Sequence, residues 1–177
     1  MSSTGIPGPT PTPNASLTPE SLKLRQLHAN IKSNQNLPMG IVAGAVAALL
    51  GALAWGGITY ATGHQIGWMA VGVGFLVGFA VQKFGQGIDK VYGIVGAALS
   101  LAGCVMGNLF ASCIAIANME KVALSQVLAA LNPDLIGQIM TATFHPMDVL
   151  FYGVAVYEGY RFSFRRLSKE ELTGIIG

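Results

Sequence analysis

No Asp, Glu, Lys or Arg occurs from position 33 to position 82, and most residues of this stretch from position 37 onward are apolar. As one helix this stretch would be about 75 Å long, whereas the hydrocarbon core of a bilayer is about 30 Å thick. The chain must therefore turn back on itself, and the polar break TGHQ at 62–65 provides the place. The pattern predicts a hairpin of two membrane-spanning helices, over about 39–61 and 66–83.

Two more apolar segments follow, over about 91–117 and 146–162. The first is longer than a bilayer requires, and the second barely spans one. The second opens with Pro146 at its first helical position and Asp148 at its third, where a carboxylate suits the free N–H groups of a helix start. The fold class predicted is an all-α membrane protein with four transmembrane helices.

The segment between the third and fourth helices is less apolar than the rest of the core sequence. It predicts two short helices, over about 119–131 and 135–144. Asn132 is the expected N-cap of the second, with Pro133 at its first position. Each helix is too short to cross a bilayer, so we expect the pair to lie at the outer interface.

The two ends of the chain differ in composition from the middle. Residues 1–37 are predicted to form a cytoplasmic Pro-rich tail and a short amphipathic helix, with Thr18 as its N-cap and Leu24, Leu27 and Ile31 as its apolar stripe. That helix either lies on anionic lipid or docks a partner, or it is a solvated lead-in. Residues 38–163 form the predicted transmembrane domain, and residues 164–177 form a second cytoplasmic tail.

Small residues recur about every four positions along the first three helices. Such ridges let helix backbones approach closely in a membrane. The simplest use of them is to pack the first helix against the second, and a contact between copies of the chain is the alternative. The predicted packing residues are Gly40, Gly44, Ala48, Ala52 and Gly56 in helix 1, Gly67, Gly74 and Gly78 in helix 2, and Gly96, Ser100, Gly103 and Gly107 in helix 3.

Charge is scarce, at 10% of the 177 residues, against about 25% in soluble domains. The net charge of +2 indicates no nucleic-acid partner. With four crossings, nine positive residues fall on the side of the termini and one, Lys121, on the other side. By the positive-inside rule, both termini are expected in the cytoplasm. The nine are Lys23, Arg25, Lys32, Lys83, Lys90, Arg161, Arg165, Arg166 and Lys169.

Three polar side chains within the apolar helices are candidates for function, because polar groups inside a membrane often bind or carry something. They are Asn108, Asp148 and Glu158. We interpret Asn108 as an interhelical hydrogen-bonding residue, Asp148 as a helix cap, and Glu158 as the ion-pair partner of Arg161, one turn further on. The alternative is that the three line a path for an ion or a proton.

His64 and His145 both fall near the outer ends of helices, so they are weak candidates for a shared metal or haem site. Solvated histidines at loop boundaries are the simpler interpretation, and no cofactor or metal is predicted. Cys104 and Cys113 are separated by about 13 Å along one helix, so they cannot form a disulfide with each other.

The runs NLPMGIVAGAVAALLGALAW and ATGHQIGWMAVGVGFLVGFAVQKFG, with HPMDVLFYGVAVYEGYRF further on, resemble a group of small bacterial membrane proteins with four predicted spans. The resemblance covers about 37–166, and its most specific piece is TGHQIGWMAVGVGFLVG. It implies a four-helix fold and a place in the bacterial inner membrane. The group has no assigned activity, so the resemblance implies no catalytic residues.

Three functions are compatible with these patterns. The first is a non-enzymatic membrane subunit that scaffolds or stabilises a larger complex, with lipids and other membrane subunits as partners and a hetero-complex favoured over a homo-oligomer. The second is a small transporter or channel. The third is an electron-transfer subunit whose cofactor is held by the two outer histidines.

Overall fold

The computed structural model describes residues 32–64 and 66–165, together with 22, 25, 26 and 29. The chain divides into two compact units: residues 34–166 form one, and residues 1–33 and 167–177 form the other. The described residues of the second unit are helical. The cap and the apolar stripe expected at Thr18, Leu24, Leu27 and Ile31 lie outside the described residues.

The described part of the first unit is built from helices, and it contains no strand. This agrees with the predicted all-α class. In chain order the helices are α1 (Leu37–Thr62), α2 (Met69–Gly85), α3 (Lys90–Glu120), α4 (Leu124–Ala129), α5 (Pro133–Thr143) and α6 (Pro146–Phe162).

Side-chain caps mark where several helices begin. Asn36 accepts a hydrogen bond from the backbone N–H of Met39 at 3.0 Å and so starts α1. Asn132 accepts one from Leu135 at 2.8 Å, which confirms the predicted cap of α5. At α6, the backbone N–H of His145 donates to the Asp148 carboxylate at 2.8 Å. Asp148 therefore caps the helix, as its position after Pro146 predicted.

Left-handed residues mark where three helices end. Gly63 closes α1 with φ +68° and donates its N–H to Thr59 at 2.9 Å. Gln86 closes α2 with φ 49°, and Lys121 closes α3 with φ 54°. The predicted helix over 119–131 is therefore wrong: α3 runs through to Glu120, the chain reverses at Lys121, and the short α4 begins only at Leu124.

The four longest helices, α1, α2, α3 and α6, form a bundle in which α2 and α3 occupy the middle. Each of these two packs against α1 on one side and α6 on the other, and α2 and α3 also pack against each other. Within the described residues, α1 and α6 do not meet. The short helices α4 and α5 both pack on α3. Val73, Val77 and Val81 of α2 form the fully buried centre of the core.

Two backbone hydrogen bonds gather three parts of the chain at one end of the bundle, here called the proximal end. The N–H of Asn36 donates to Gly85 at 2.9 Å, and the N–H of Arg165 donates to Gly87 at 2.9 Å. The start of α1, the α2–α3 loop and the segment after α6 therefore lie together. The α1–α2 turn lies at the opposite, distal end, where the ring of Trp68 packs on Phe151 near the start of α6, with centroids 5.6 Å apart.

Two of the helices, α1 with 26 residues and α3 with 31, are long and apolar enough to cross a membrane. The pair α5 and α6 passes the same test only when taken together, and it is bent by 102° at its junction. The helix α2 is apolar but has only 17 residues. By length and composition, the described chain thus has two or three candidate spans, the character of a membrane protein.

Candidate functional site

The small residues of α1 face both α2 and α3. A methyl group built on Gly103 of α3 would lie 3.1 Å from the Cβ atom of Ala48, and one built on Gly107 would lie 3.5 Å from the Cα atom of Ala52. The remaining α1 glycines of the predicted ridge also meet these two helices. Gly40 faces Gly85, Gly44 faces Val81 and Leu99, and Gly56 faces Phe110.

The packing glycines predicted for helix 2 do not face α1, as the simplest interpretation of the sequence had them. They face α6: Gly67, just before α2, meets the ring of Phe151, Gly74 meets the backbone of Ala155, and Gly78 meets the carbonyl oxygens of Glu158 and Gly159. The physical reason is that the hairpin of α1 and α2 exposes a second face of α2, and a helix backbone can approach closest over the glycines.

Helix α6 also has a ridge of small residues, which was not among the predicted packing residues. Gly159 lies against Ser100 and Gly96 of α3, while Ala155 lies against Gly74 of α2. Ala155 and Gly159 are four residues apart, which is the same spacing that marked the other ridges. That spacing was the available signal.

The polar candidates Asn108 and Asp148 come together at a cavity of about 350 Å³ near the distal end of the bundle. Four parts of the fold form its wall: α1, the α1–α2 turn, α3, and the α5–α6 junction with the start of α6. The described residues that line it are Trp55, Gly67, Asn108, Thr143, His145, Met147, Asp148 and Phe151.

Trp55 and Asn108 form the deep part of this wall and are only 3% and 5% exposed. Trp55 lies seven residues before the end of α1, or about 10 Å along the helix axis. Its indole turns Cε3 and Cδ2 towards Gly107, so Nε1 is on the opposite edge. Nε1 is buried and has no hydrogen-bond acceptor in the described part of the chain.

His145 and Asp148 lie at the start of α6, on the shallow side of the cavity. The Oδ2 atom of Asp148 is occupied by the cap of α6, whereas Oδ1 accepts no hydrogen bond from a described residue. The imidazole Nδ1 of His145 contacts the carbonyl of Thr143 at 2.9 Å, which leaves Nε2 as the second ring nitrogen. A carboxylate and an imidazole thus share one wall.

Buried polar contacts hold α6 against its neighbours beside the cavity. The hydroxyl of Tyr152 donates to the carbonyl of Cys104 at 3.4 Å, and the thiol of Cys104 donates to the carbonyl of Ala70 at 3.7 Å. These contacts link α6, α3 and α2. Both Cys104 and Cys113 are free and buried, in keeping with the expectation that they do not form a disulfide with each other.

Glu158 stands apart from the cavity, ten residues beyond Asp148 on α6. Its expected ion pair with Arg161 is not formed. The guanidinium of Arg161 instead donates to the hydroxyl of Tyr157 at 3.1 Å and lies 5.9 Å from the centre of that ring. The Oε2 atom of Glu158 is buried and accepts no hydrogen bond from a described residue.

The two candidate histidines occupy different surroundings. His64 is exposed in the α1–α2 turn, where its Nδ1 contacts the carbonyl of Thr62 at 2.8 Å, and it does not line the cavity that contains His145. Among the described residues, no group of three or more His, Cys, Asp or Glu side chains lies close enough to hold a metal ion.

Two apolar clefts flank the outward face of α1. One, of about 210 Å³, lies between α1, α3 and α4 and includes Leu53 and Met106. The other, of about 340 Å³, lies between α1 and α2 and includes Leu50 and Leu76. Both offer almost only hydrocarbon, so they suit acyl chains or the apolar side chains of another helix.

Comparison with models of protein families, with curated proteins and with solved structures finds no match for this chain.

Proposed function

We propose that this chain is a four-pass protein of a bacterial inner membrane, with both termini in the cytoplasm, and that it is a non-enzymatic subunit of a larger membrane complex. Its bundle scaffolds or stabilises neighbouring subunits, and its outer faces contact lipid and partner helices. The bacterial and inner-membrane parts of this proposal come from the resemblance noted in the sequence.

Two long candidate spans and the two hydrogen bonds of the proximal end support four crossings. If α1 crosses the membrane, the bond from Asn36 to Gly85 requires that the chain return before α3 begins. Only α2 can make that return. If α3 then crosses, the bond from Arg165 to Gly87 requires a second return, which falls to α6. Helices of 17 residues are about 25 Å long and need local thinning or flanking residues to span.

The distribution of positive charge supports the orientation. Among the described residues of the bundle, four cationic side chains lie towards its proximal end and one, Lys121, lies at its distal end. Positively charged residues favour the cytoplasmic side of a membrane. The proximal four are Lys83, Lys90, Arg161 and Arg165.

One observation carries the scaffold proposal: glycines bring the helices into close contact at interface after interface. Gly40 meets the Cα atom of Gly85, Gly74 meets the backbone of Ala155, and Gly96 meets the carbonyl of Gly159. Packed interiors resist continuous deformation, so helices interlocked in this way move as one body. A rigid body suits a structural subunit better than a carrier whose halves must rock against each other.

The partner surface is assigned to the outward face of α1. This helix has only two bundle neighbours, α2 and α3, and both apolar clefts lie along it. Bulky, exposed side chains of α1 line both clefts: Leu53 lines one and Leu50 the other, and each is 57% exposed. Side chains of a partner helix that fill these clefts gain the dispersion contacts that hold helices together in lipid.

The test is extraction of the tagged protein from its native membrane in mild detergent, followed by mass measurement and identification of the chains that co-migrate. We expect an assembly that contains other membrane proteins and is much heavier than the 18.4 kDa chain. A monodisperse monomer from the native membrane would contradict the proposal.

Two bulky substitutions locate the interface. Gly57 of α1 and Gly153 of α6 both face open space, so Gly57→Trp and Gly153→Trp should leave the bundle folded. We expect Gly57→Trp to release the partner chains and the matched Gly153→Trp to retain them. Release by Gly153→Trp alone would place the partner on α6 instead.

A further inference from the structure

We propose that the distal cavity is a binding site for a small organic cation, an ammonium group carried by a free amine or by a lipid headgroup. This site is independent of the partner surface on α1. It joins residues from four parts of the fold that are far apart in the sequence, including Trp55 and Asp148.

The charge of the lining side chains determines whether the cavity favours a positively or a negatively charged ligand. Among the described lining residues, Asp148 is the one acidic side chain, and none is Lys or Arg. The Oδ2 atom of Asp148 accepts a hydrogen bond from the backbone N–H of His145 and caps the start of α6, where the helix dipole is positive. The second carboxylate oxygen, Oδ1, is left to accept a hydrogen bond from a ligand. An ammonium donor satisfies that oxygen, whereas an anion is repelled by it.

Aromatic and polar side chains supply the remaining contacts. Trp55 of α1 and Phe151 of α6 both line the cavity. Aromatic rings attract organic cations, and the attraction is stronger in a desolvated site. Asn108 and Trp55 line the deep end of the cavity. Met147 adds an apolar contact.

The size of the cavity limits the ligand to a small molecule or a headgroup. Ligand pockets in proteins usually measure roughly 300–1,000 Å³. At about 350 Å³, this cavity stands at the lower end of that range. A phosphatidylethanolamine headgroup and a free alkylamine both fit the chemistry, so the experiment must separate them.

The reporter is Trp55 itself. The chain has two tryptophans, and Trp68→Phe leaves Trp55 as the only one while it keeps an aromatic ring against Phe151. The full-length variant is placed in nanodiscs of phosphatidylglycerol, which has no ammonium group, and titrated with ethylammonium chloride, whose N–H groups can donate to Asp148. Sodium chloride at the same concentrations is the control for ionic strength. We expect a saturable change in Trp55 emission with ethylammonium alone.

Two substitutions in the same background test the assignment to Asp148. Asp148→Asn removes the charge but keeps an oxygen for the His145 N–H, so the cap of α6 should survive. Its matched control, Asp134→Asn, removes an exposed charge from the first turn of α5, outside the cavity. We expect binding to weaken about tenfold in Asp148→Asn and to stay unchanged in Asp134→Asn.

A second measurement guards against a folding defect. Ethylammonium should raise the melting temperature of the unsubstituted protein and of Asp134→Asn but not that of Asp148→Asn, because a ligand stabilises the state that binds it. Titrations that look alike for the two Asn variants, or no saturable change in the parent, would overturn the proposal.

Nanodiscs that contain phosphatidylethanolamine identify the source of the ammonium group. If the lipid headgroup is the natural occupant, it competes, and the response to ethylammonium disappears in these nanodiscs. If a soluble amine is the ligand, the response is the same in both lipid compositions. Either result supports the cation site and names its occupant.

Discussion

Single glycines set how closely the helices of this protein approach one another. A methyl group built on Gly74 would lie 2.5 Å from the carbonyl oxygen and 2.6 Å from the Cα atom of Ala155. Those are backbone atoms, which cannot rotate away as a side chain can. Gly72, one half-turn earlier on the same helix, meets nothing within 4 Å. Two glycines of one helix thus have opposite roles.

Substitutions at these two positions should separate the roles. Gly74→Val forces α2 and α6 apart, and we expect a loss of about 1–3 kcal/mol in the free energy of unfolding. Gly72→Val places its side chain towards lipid and should change stability little. Thermal unfolding in detergent measures both. Equal stabilities would mean that Gly74 is not at a helix contact.

The pair Glu158 and Arg161 shows that spacing along a helix does not by itself predict which side chains interact. Residues three apart on a helix are neighbours, and opposite charges there attract. Arg161 is also four residues from Tyr157, which offers a hydroxyl acceptor and an aromatic face. Both spacings bring side chains within reach. The structure selects Tyr157, and the carboxylate of Glu158 turns inward instead.

At the scale of the helix, starts were easier to predict than ends. Asn132 before Pro133, and Pro146 before Asp148, combine a side-chain cap with a residue suited to the first turn, so both starts are where the sequence indicated. The end of α3 has no Gly or Pro to mark it. Lys121 adopts a left-handed conformation that is uncommon for a residue with a side chain.

Glycine at this helix end should therefore stabilise the protein. Lys121→Gly removes the strain of φ 54°, and we expect a gain of about 1 kcal/mol in the free energy of unfolding. Had one helix run from 119 to 131, the same change would cost about 1 kcal/mol, since glycine is poor inside helices. Thermal unfolding distinguishes a gain from a loss.

A matched control lies within the next helix. Gln126 is exposed in the interior of α4, so Gln126→Gly should lower stability by up to about 1 kcal/mol. Lys121→Asn is a second variant, because Asn tolerates the left-handed region and also lacks the charge. If Lys121→Gly and Gln126→Gly destabilise equally, the break between α3 and α4 is wrong.

At the scale of the whole molecule, the most important feature is that the residues just before α1 and just after α6 both form hydrogen bonds with the connection between α2 and α3. The hydrogen bonds from Asn36 to Gly85 and from Arg165 to Gly87 leave the bundle with a proximal and a distal end. With the four crossings proposed above, these two ends would lie on opposite sides of the membrane. The short helices α4 and α5 and the proposed cation site belong to the distal side, and the cationic ends of α2 and α6 belong to the proximal side.

Cysteine labelling tests this sidedness. Ser125 in α4 and Asp89 before α3 are both exposed, and neither side chain forms a hydrogen bond with a described residue that Ser125→Cys or Asp89→Cys would remove. With an impermeant maleimide on spheroplasts, we expect position 125 to react at once and position 89 only after permeabilisation.

The native cysteines provide the internal control for that experiment. Cys104 and Cys113 are both completely buried, so the protein without added cysteines should not be labelled on either side. If positions 89 and 125, which flank α3, are labelled from the same side, α3 does not cross the membrane.

Local chemistry determined most of what the sequence predicted correctly. Hydrophobic length placed the long helices within three residues at each end, and cap residues placed the starts of α5 and α6. These features depend on neighbouring residues along the chain, so a linear pattern contains them. The scarcity of charge pointed to lipid for the same reason, because each buried charge is unfavourable wherever the helix goes.

Which faces meet was decided only by the tertiary structure. The ridge of Gly74 and Gly78 was predicted with its correct spacing but packs on α6, because a stripe of small residues does not encode the identity of its partner. The cavity joins Trp55 and Asp148, 93 positions apart, through the order in which four helices pack. Such convergence depends on helix crossing and rotation, which arise from packing across the bundle and not from any one segment.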